Sequence, residues 1–156
     1  MASISRRFLN TELIPRFARM VGGNILNVGI HKSWDYRIFY TTRGCTYTTL
    51  DIKPELHPDI VADITDCKLP DKSYDGIEAI GMYEMVKDWP KAINELYRIL
   101  KDDGKLLVTF AGVGFFYGTT KPEEVFEKIK PFRATEVYIS YYKNGAVEYI
   151  SLICKK

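Results

Sequence analysis

The order of local signals along this chain predicts an α/β fold whose mostly parallel sheet ends in a C-terminal antiparallel hairpin strand. Three observations carry that prediction. Residues 95–107 read as the last turns of an amphipathic helix, an Asp102-Asp103-Gly104 turn and a buried strand continuing through Val108, Thr109 and Phe110. This is the step that packs a helix on a sheet and sets the next strand parallel to the last. Short β-forming runs alternate with helical patterns between residues 24 and 110. Residues 135–142 and 146–154 then alternate β-formers across Lys143-Asn144-Gly145, where Asn-Gly supplies the positive φ angles of a type I′ turn.

The elements follow in order. Thr11 can cap a helix over 11–21 in which Leu13, Ile14, Phe17, Met20 and Val21 share a face, with Pro15 in or near its first turn and Gly22-Gly23 ending it. The same Arg-rich, acid-poor start also fits an organelle transit peptide. Residues 24–29 form a first strand ending at Gly29, and 46–51 a second ending at Asp51. A third, 59–63, ends at Asp63, and a fourth, 74–81, leads into a helix over about 89–100. Residues 52–58 are too few for an ordinary crossover helix, which takes ~10 residues or more, so any helix there is a single turn. A helix around 123–129 precedes the hairpin. No internal repeat or linker breaks the chain, which reads as one domain over residues 1–156.

Composition narrows the function classes. At 156 residues with 46% hydrophobic and 27% charged, the chain can bury a sizeable core. No apolar run approaches the ~18 residues of a membrane span, and the start lacks the apolar stretch of a secretion signal. The expected location is the cytoplasm. Cys45, Cys67 and Cys154 are odd in number and widely spaced, which suits reduced thiols and indicates neither a disulfide framework nor a metal site. Residues 1–50 carry seven Lys or Arg against two acids, and 51–103 thirteen acids against seven bases. These charges alternate with apolar residues and form no block, so they read as solvated surface and give no nucleic-acid signal.

In an open α/β sheet, ligands bind outside the carboxyl ends of the strands, where strand order reverses. Gly29 there lets a ligand approach the backbone. Asp51, twenty-two residues on, is placed to accept hydrogen bonds from both ribose hydroxyls. Asp63 can accept from an exocyclic amine while the Ile64 N–H donates to a ring nitrogen. Each also has an ordinary reading, Gly29 as a turn residue and either Asp as a helix cap or solvated charge; together they describe an adenosine site.

The runs Ile25-Leu26-Asn27-Val28-Gly29, Thr49-Leu50-Asp51-Ile52-Lys53-Pro54, residues 61–75 and residues 95–107 resemble the class I S-adenosylmethionine-dependent methyltransferases over roughly 24–110. The resemblance implies a Rossmann-like seven-stranded sheet with one antiparallel strand, and S-adenosyl-L-methionine as cofactor. It implies that Asp51 binds the ribose diol, Asp63 and Ile64 the adenine, and that Gly29 and Ile30 line the methionine part, with Asn27, His31 and Ile52 also at the cofactor. Gly81, Met82 and Tyr83 would lie beside the transferable methyl. The chain departs from the family at Asn27, where an acid is usual, at His31 and Ser33, where a Gly-x-Gly-x-Gly run has glycines, and at Met85, where many relatives carry a His.

No catalytic residue is assigned from the sequence. His31 can act as a base on an acceptor hydroxyl and Lys32 can pair with the cofactor's carboxylate, or both are solvated loop side chains. Tyr36, Phe39, Tyr40, Phe115, Phe116 and Tyr117 fit either an aromatic acceptor pocket or the core. The expected activity is methyl transfer to a small or exposed acceptor. With no sizeable insertion, the acceptor site must come from short loops, the N-terminal helix, residues 111–121 or a second subunit in a homodimer. A non-catalytic binding or scaffold protein is the alternative. A nicotinamide-dependent oxidoreductase would need Gly-x-Gly-x-x-Gly, which is missing.

Overall fold

A computed structural model describes residues 4–31, 35–112 and 122–156. Three helical pieces come first: α1 (Ile4–Phe8), a π-helical segment (Leu9–Leu13) and α2 (Ile14–Met20). The expected helix is present but starts earlier, so Thr11 is interior and its hydroxyl donates to the Arg7 carbonyl at 3.0 Å instead of capping. Pro15 accounts for the irregularity. It has no N–H for the carbonyl four residues back, and just before it the ladder widens, the Ile14 N–H bonding to the Leu9 carbonyl. Leu13, Ile14 and Phe17 are buried.

The remaining elements are β1 (Asn24–Val28), α3 (Ile38–Thr41), β2 (Thr46–Asp51), β3 (Ile60–Val61), β4 (Tyr74–Ala79), α4 (Trp89–Ile99), β5 (Leu100–Ala111), α5 (Pro122–Lys128), β6 (Arg133–Tyr141) and β7 (Val147–Lys155). The seven strands form one sheet in the order β3-β2-β1-β4-β5-β7-β6. Pairings from β3 through β5 are parallel, and β7 runs antiparallel to both β5 and β6. This is the mixed α/β sheet expected. The short α3 was not foreseen.

Three local expectations change. The third strand shrinks to two residues because the Asp59 carboxylate takes the Thr49 N–H and hydroxyl, each at 2.8 Å, replacing a backbone rung with a side-chain one. Residues 101–104 are not a tight turn before a strand. Leu100 already pairs with Tyr74 and Lys105 with Gly76, so the intervening residues bulge outward opposite Asp75. The hairpin turn is a type I turn with a following left-handed glycine, not type I′. Gly145 N–H bonds to the Tyr142 carbonyl at 2.9 Å, and only Gly145, at φ 84°, has positive φ.

Each face of the sheet is covered differently. Leu26, Val28, Ile77, Leu106 and Val108 pack with Ile93, Leu96 and Ile99 of α4. Ile25, Leu107 and Ile153 point to the other face, against Ile14 and Phe17 of the N-terminal helices and Tyr40 of α3. The alternation along each strand puts neighbouring residues on opposite layers. The three cysteines are free and buried. Among the described residues no helix is long and apolar enough to cross a membrane.

Entry into β1 depends on Gly23, at φ 70°, where a Cβ would stand 2.4 Å from Asp75 Oδ2. That carboxylate cannot swing away freely: it accepts the Asn24 N–H and the Lys101 ammonium, both at 2.8 Å. Gly23→Ala is therefore expected to destabilise the fold by about 1–3 kcal/mol. Urea titration will show this as a lower midpoint at unchanged slope.

Candidate functional site

Strand order reverses between β1 and β4. The connection after β1 carries α3 on one face and that after β4 carries α4 on the other, so a crevice opens between the two carboxyl ends. Gly29 turns the chain out of β1 at φ 79°, and a Cβ there would lie 3.2 Å from Met82 Cβ. Its N–H bonds to the Leu50 carbonyl at 2.9 Å, which fixes the turn to the end of β2.

Asp51 pins the same corner. Its Oδ2 accepts the Ile30 N–H and its Oδ1 the Lys53 N–H, both at 2.9 Å, in a site where the residue is 8% exposed. A carboxylate offers about four acceptor positions, so both oxygens retain capacity for a ligand. Asp63 takes the capping role foreseen for it. Its Oδ1 caps the short turn Ile64–Asp66 by accepting from the N–H and hydroxyl of Thr65, each at 2.8 Å. Its Oδ2 has no partner among the described residues.

These residues surround a cavity of about 600 Å³. Asn27, Gly29, Ile30 and His31 form one wall, Asp51 and Ile52 the next, and Asp63 with Ile64 the third. Gly81, Met82 and the exposed Met85 complete it from the β4 side. The Gly81 N–H is tied to Thr109 Oγ at 2.8 Å. Tyr83 does not belong to this wall. Its ring lies 4.8 Å from Trp89 and 4.6 Å from Phe110, and its hydroxyl accepts from Lys128. An aromatic ring buries more surface in that cluster than at the rim. Burial lowers the Lys128 pKa. Lys32, Ser33, Phe115, Phe116 and Tyr117 lie outside the described residues.

A second chamber of about 370 Å³ adjoins the first, sharing Arg6, Ile80, Gly81 and Tyr149 with it. Its remaining walls come from Phe8 and Leu9 near the N-terminus, Thr109 of β5, and the β6-β7 hairpin. Of the aromatic residues weighed as pocket or core, Tyr40 is core, with no exposure, while Tyr36 lines the first cavity.

Sequence reasoning missed Glu78. It is fully buried in β4 and accepts hydrogen bonds from Tyr40 Oη and, at 2.9 Å, from Tyr47 Oη. Tyr47 Oη accepts from Asn27 Nδ2 at 2.6 Å. Desolvation pushes the Glu78 carboxyl up to about 7, against the opposing pull of the two tyrosine hydroxyls. Both tyrosine hydroxyls are themselves raised well above their ordinary range, by burial first and the adjacent carboxylate second. The available signal was an acid inside the otherwise apolar run Ile77-Glu78-Ala79-Ile80.

Residues 2–135 match the family model for a methyltransferase domain. The chain belongs to that family. Among solved structures, a phosphoethanolamine N-methyltransferase 2 of Haemonchus contortus, in complex with S-adenosyl-L-methionine, superposes with TM-score 0.75 at 16% identity. The match covers 94% of this chain and 52% of that one, so the chain spans about half its length. A SAM-dependent methyltransferase of Archaeoglobus fulgidus gives 0.71 at 14% identity, covering 97% of this chain and 94% of that one. A 1,6-didemethyltoxoflavin-N1-methyltransferase of Burkholderia thailandensis, with 1,6-didemethyltoxoflavin and S-adenosylhomocysteine bound, gives 0.70 at 12%, covering 97% and 82%. No curated protein matches the sequence. The methyltransferase family and the seven-stranded sheet that the resemblance implied are thus both found.

Glu78 gives this methyltransferase domain a characteristic pH response. Its folded pKa of about 7 lies above the ordinary carboxyl value of 4.5. The native state therefore holds a proton that the unfolded chain releases. Its stability contribution is full below about 4.5 and is lost as pH rises through about 7, on the order of 3 kcal/mol in all. Glu78→Gln removes the term, so its stability relative to wild type should rise between pH ~4.5 and ~7.5 and then level. Denaturant melts of both proteins across that range measure the difference, in which the other carboxylates cancel.

Proposed function

We propose that this methyltransferase domain binds S-adenosyl-L-methionine in the 600 Å³ cavity and transfers its methyl group to a small acceptor in the adjoining chamber. The observation that carries the reading is the convergence of Asn27, Gly29, Asp51, Asp63 and Gly81, from four different strand ends, on one cavity. The cofactor supplies an electrophilic methyl on a sulfonium. Asp51 accepts from the ribose hydroxyls with the capacity left on each oxygen, and the unpartnered Oδ2 of Asp63 accepts from the adenine amine. Ile30, Ile52, Ile64, Met82 and Met85 supply apolar surface that excludes water. Gly81, common to both chambers, stands where they meet.

Transfer to an acceptor that is already nucleophilic needs alignment more than a base. This suits a site that brings no acid–base dyad together among its described residues. For an acceptor that must lose a proton, His31 is the imidazole at the cavity rim. Binding without transfer is the second reading, favoured by His31 and Ser33 in place of loop glycines. The second chamber, about 370 Å³ and lined by Phe8, Leu9, Thr109 and the β6-β7 hairpin, supports a small acceptor.

Titration calorimetry with S-adenosylmethionine, S-adenosylhomocysteine and NAD tests the ligand: heat with both sulfur compounds and none with NAD is expected, and silence with both would refute the reading. Asp51→Ala should weaken cofactor binding by about 1.5–3 kcal/mol, the loss typical of a hydrogen bond to a charged group. Methyl release from labelled cofactor in mixed small-amine, phenol and carboxylate acceptors separates transfer from binding alone.

A further inference from the structure

Asn27 of β1 and Glu78 of β4 are partners in the parallel register. A carboxylate buried completely requires donors, and Glu78 receives two, the hydroxyls of Tyr40 on α3 and Tyr47 on β2. The resulting chain of hydrogen bonds has a direction. An ionised carboxylate only accepts, so the Tyr47 hydroxyl hydrogen is committed to Glu78 and its oxygen is left for a donor. Asn27 meets it with Nδ2 at 2.6 Å. The amide orientation is therefore dictated by the acid, and Oδ1 is turned away from Tyr47. Asn27 is 6% exposed and lines the cavity beside Gly29 and Gly81. Its Oδ1 accepts from no described residue, an unsatisfied buried acceptor at a ligand-sized space.

We propose that Glu78, acting through Tyr47, is a positioning residue that holds the Asn27 carboxamide with its oxygen offered to the ammonium group of the cofactor's amino-acid moiety. The inference rests on the S-adenosylmethionine reading above. The negative charge sits one strand over from Asn27, and the amide dipole it orients faces the cavity. Among the described residues Glu78 accepts from the Tyr40 and Tyr47 hydroxyls alone. The Tyr36 hydroxyl feels the same carboxylate but donates to Asn10 Oδ1 at 3.2 Å, and the Arg37 guanidinium is engaged with the Tyr47 carbonyl at 3.0 Å and with Asp59.

The test compares two thioethers that differ in the amino acid, S-adenosylhomocysteine and 5′-methylthioadenosine, by calorimetry on the intact protein at about pH 8, where Glu78 is ionised. Tyr47→Phe should weaken S-adenosylhomocysteine about tenfold and leave 5′-methylthioadenosine within about twofold, since only the former brings an ammonium. Asn27→Ala should show the same selective loss, and adding Tyr47→Phe to it should cost nothing more. Tyr40→Phe removes a hydroxyl from the same carboxylate but leaves the Tyr47 link, so the ratio of affinities should stay as in wild type. Equal weakening of both ligands by Tyr47→Phe, or no change in either, overturns the positioning role while leaving cofactor binding intact. If wild type binds neither thioether, the cofactor reading itself fails and this inference with it.

Discussion

The site depends on one topological constraint: β1 and β4 lie side by side while the chain leaves them on opposite faces of the sheet. The α3 connection covers one layer and α4 the other, so neither closes over the carboxyl ends between them. Whatever occupies that crevice meets backbone first. Gly29 is bonded to Leu50, Ile30 and Lys53 are held by Asp51, and Gly81 is held by Thr109. These bonds tie the rim to strands β2 and β5 on either side. A pocket on such a scaffold is positioned before a ligand arrives, which reduces the ordering cost of binding.

The polar network beneath the crevice works against stability. Leucine at position 78 would suit a layer made of Ile14, Phe17, Ile25 and Leu107, and replacing buried polar groups by apolar ones of similar shape is often neutral or favourable. Instead the layer holds a carboxylate, two tyrosine hydroxyls and an amide, with the Tyr40 and Tyr47 rings stacked at 5.1 Å to keep them in place. Local rules of sequence design are broken here and at few other points of the sheet, and such breaks concentrate where a protein must present a particular group to a ligand. The carboxylate is costly in the ionised form, the form that orients Asn27. Stability and cofactor recognition therefore pull on Glu78 in opposite directions around neutral pH.

Features set by local chemistry were legible in the sequence. The limits of β2, the single turn between β2 and β3, the parallel step through α4 into β5 and the hairpin at Asn144-Gly145 all follow from period, turn residues and spacing. Asp51 and Gly29 were legible as well, because a strand end announces itself by the residue that stops it. What failed to show depended on distant partners. Nothing near Asp59 reveals that Thr49 will occupy its carboxylate, and nothing near Leu100 reveals that Tyr74 has already claimed it for the sheet. Tyr83 was drawn from the rim by Trp89 and Phe110, a choice made by tertiary packing. Glu78 is separated by 38 and 31 residues from the tyrosines that make it tolerable, so the sequence shows an acid in a strand and not the network.

The same division separates the two chambers. The chamber proposed for the cofactor is built mainly from strand ends and loops between residues 27 and 88. The chamber proposed for the acceptor is built largely from the two ends, Arg6, Phe8 and Leu9 at one and the β6-β7 hairpin at the other. These ends are fastened to each other as well as to the sheet. The Arg16 guanidinium makes two 2.7 Å hydrogen bonds to Glu136, and the Phe8 ring sits 5.6 Å from Tyr138. With Arg16 about half exposed, solvent screens that ion pair, so its main effect is register: it ties the hairpin to the N-terminal helices. Changes at Phe8 or in the hairpin residues 138–141 would reshape the acceptor chamber, which these residues line, without touching the first cavity's lining. A fold with short crossovers can in this way vary its substrate without altering how it holds a cofactor.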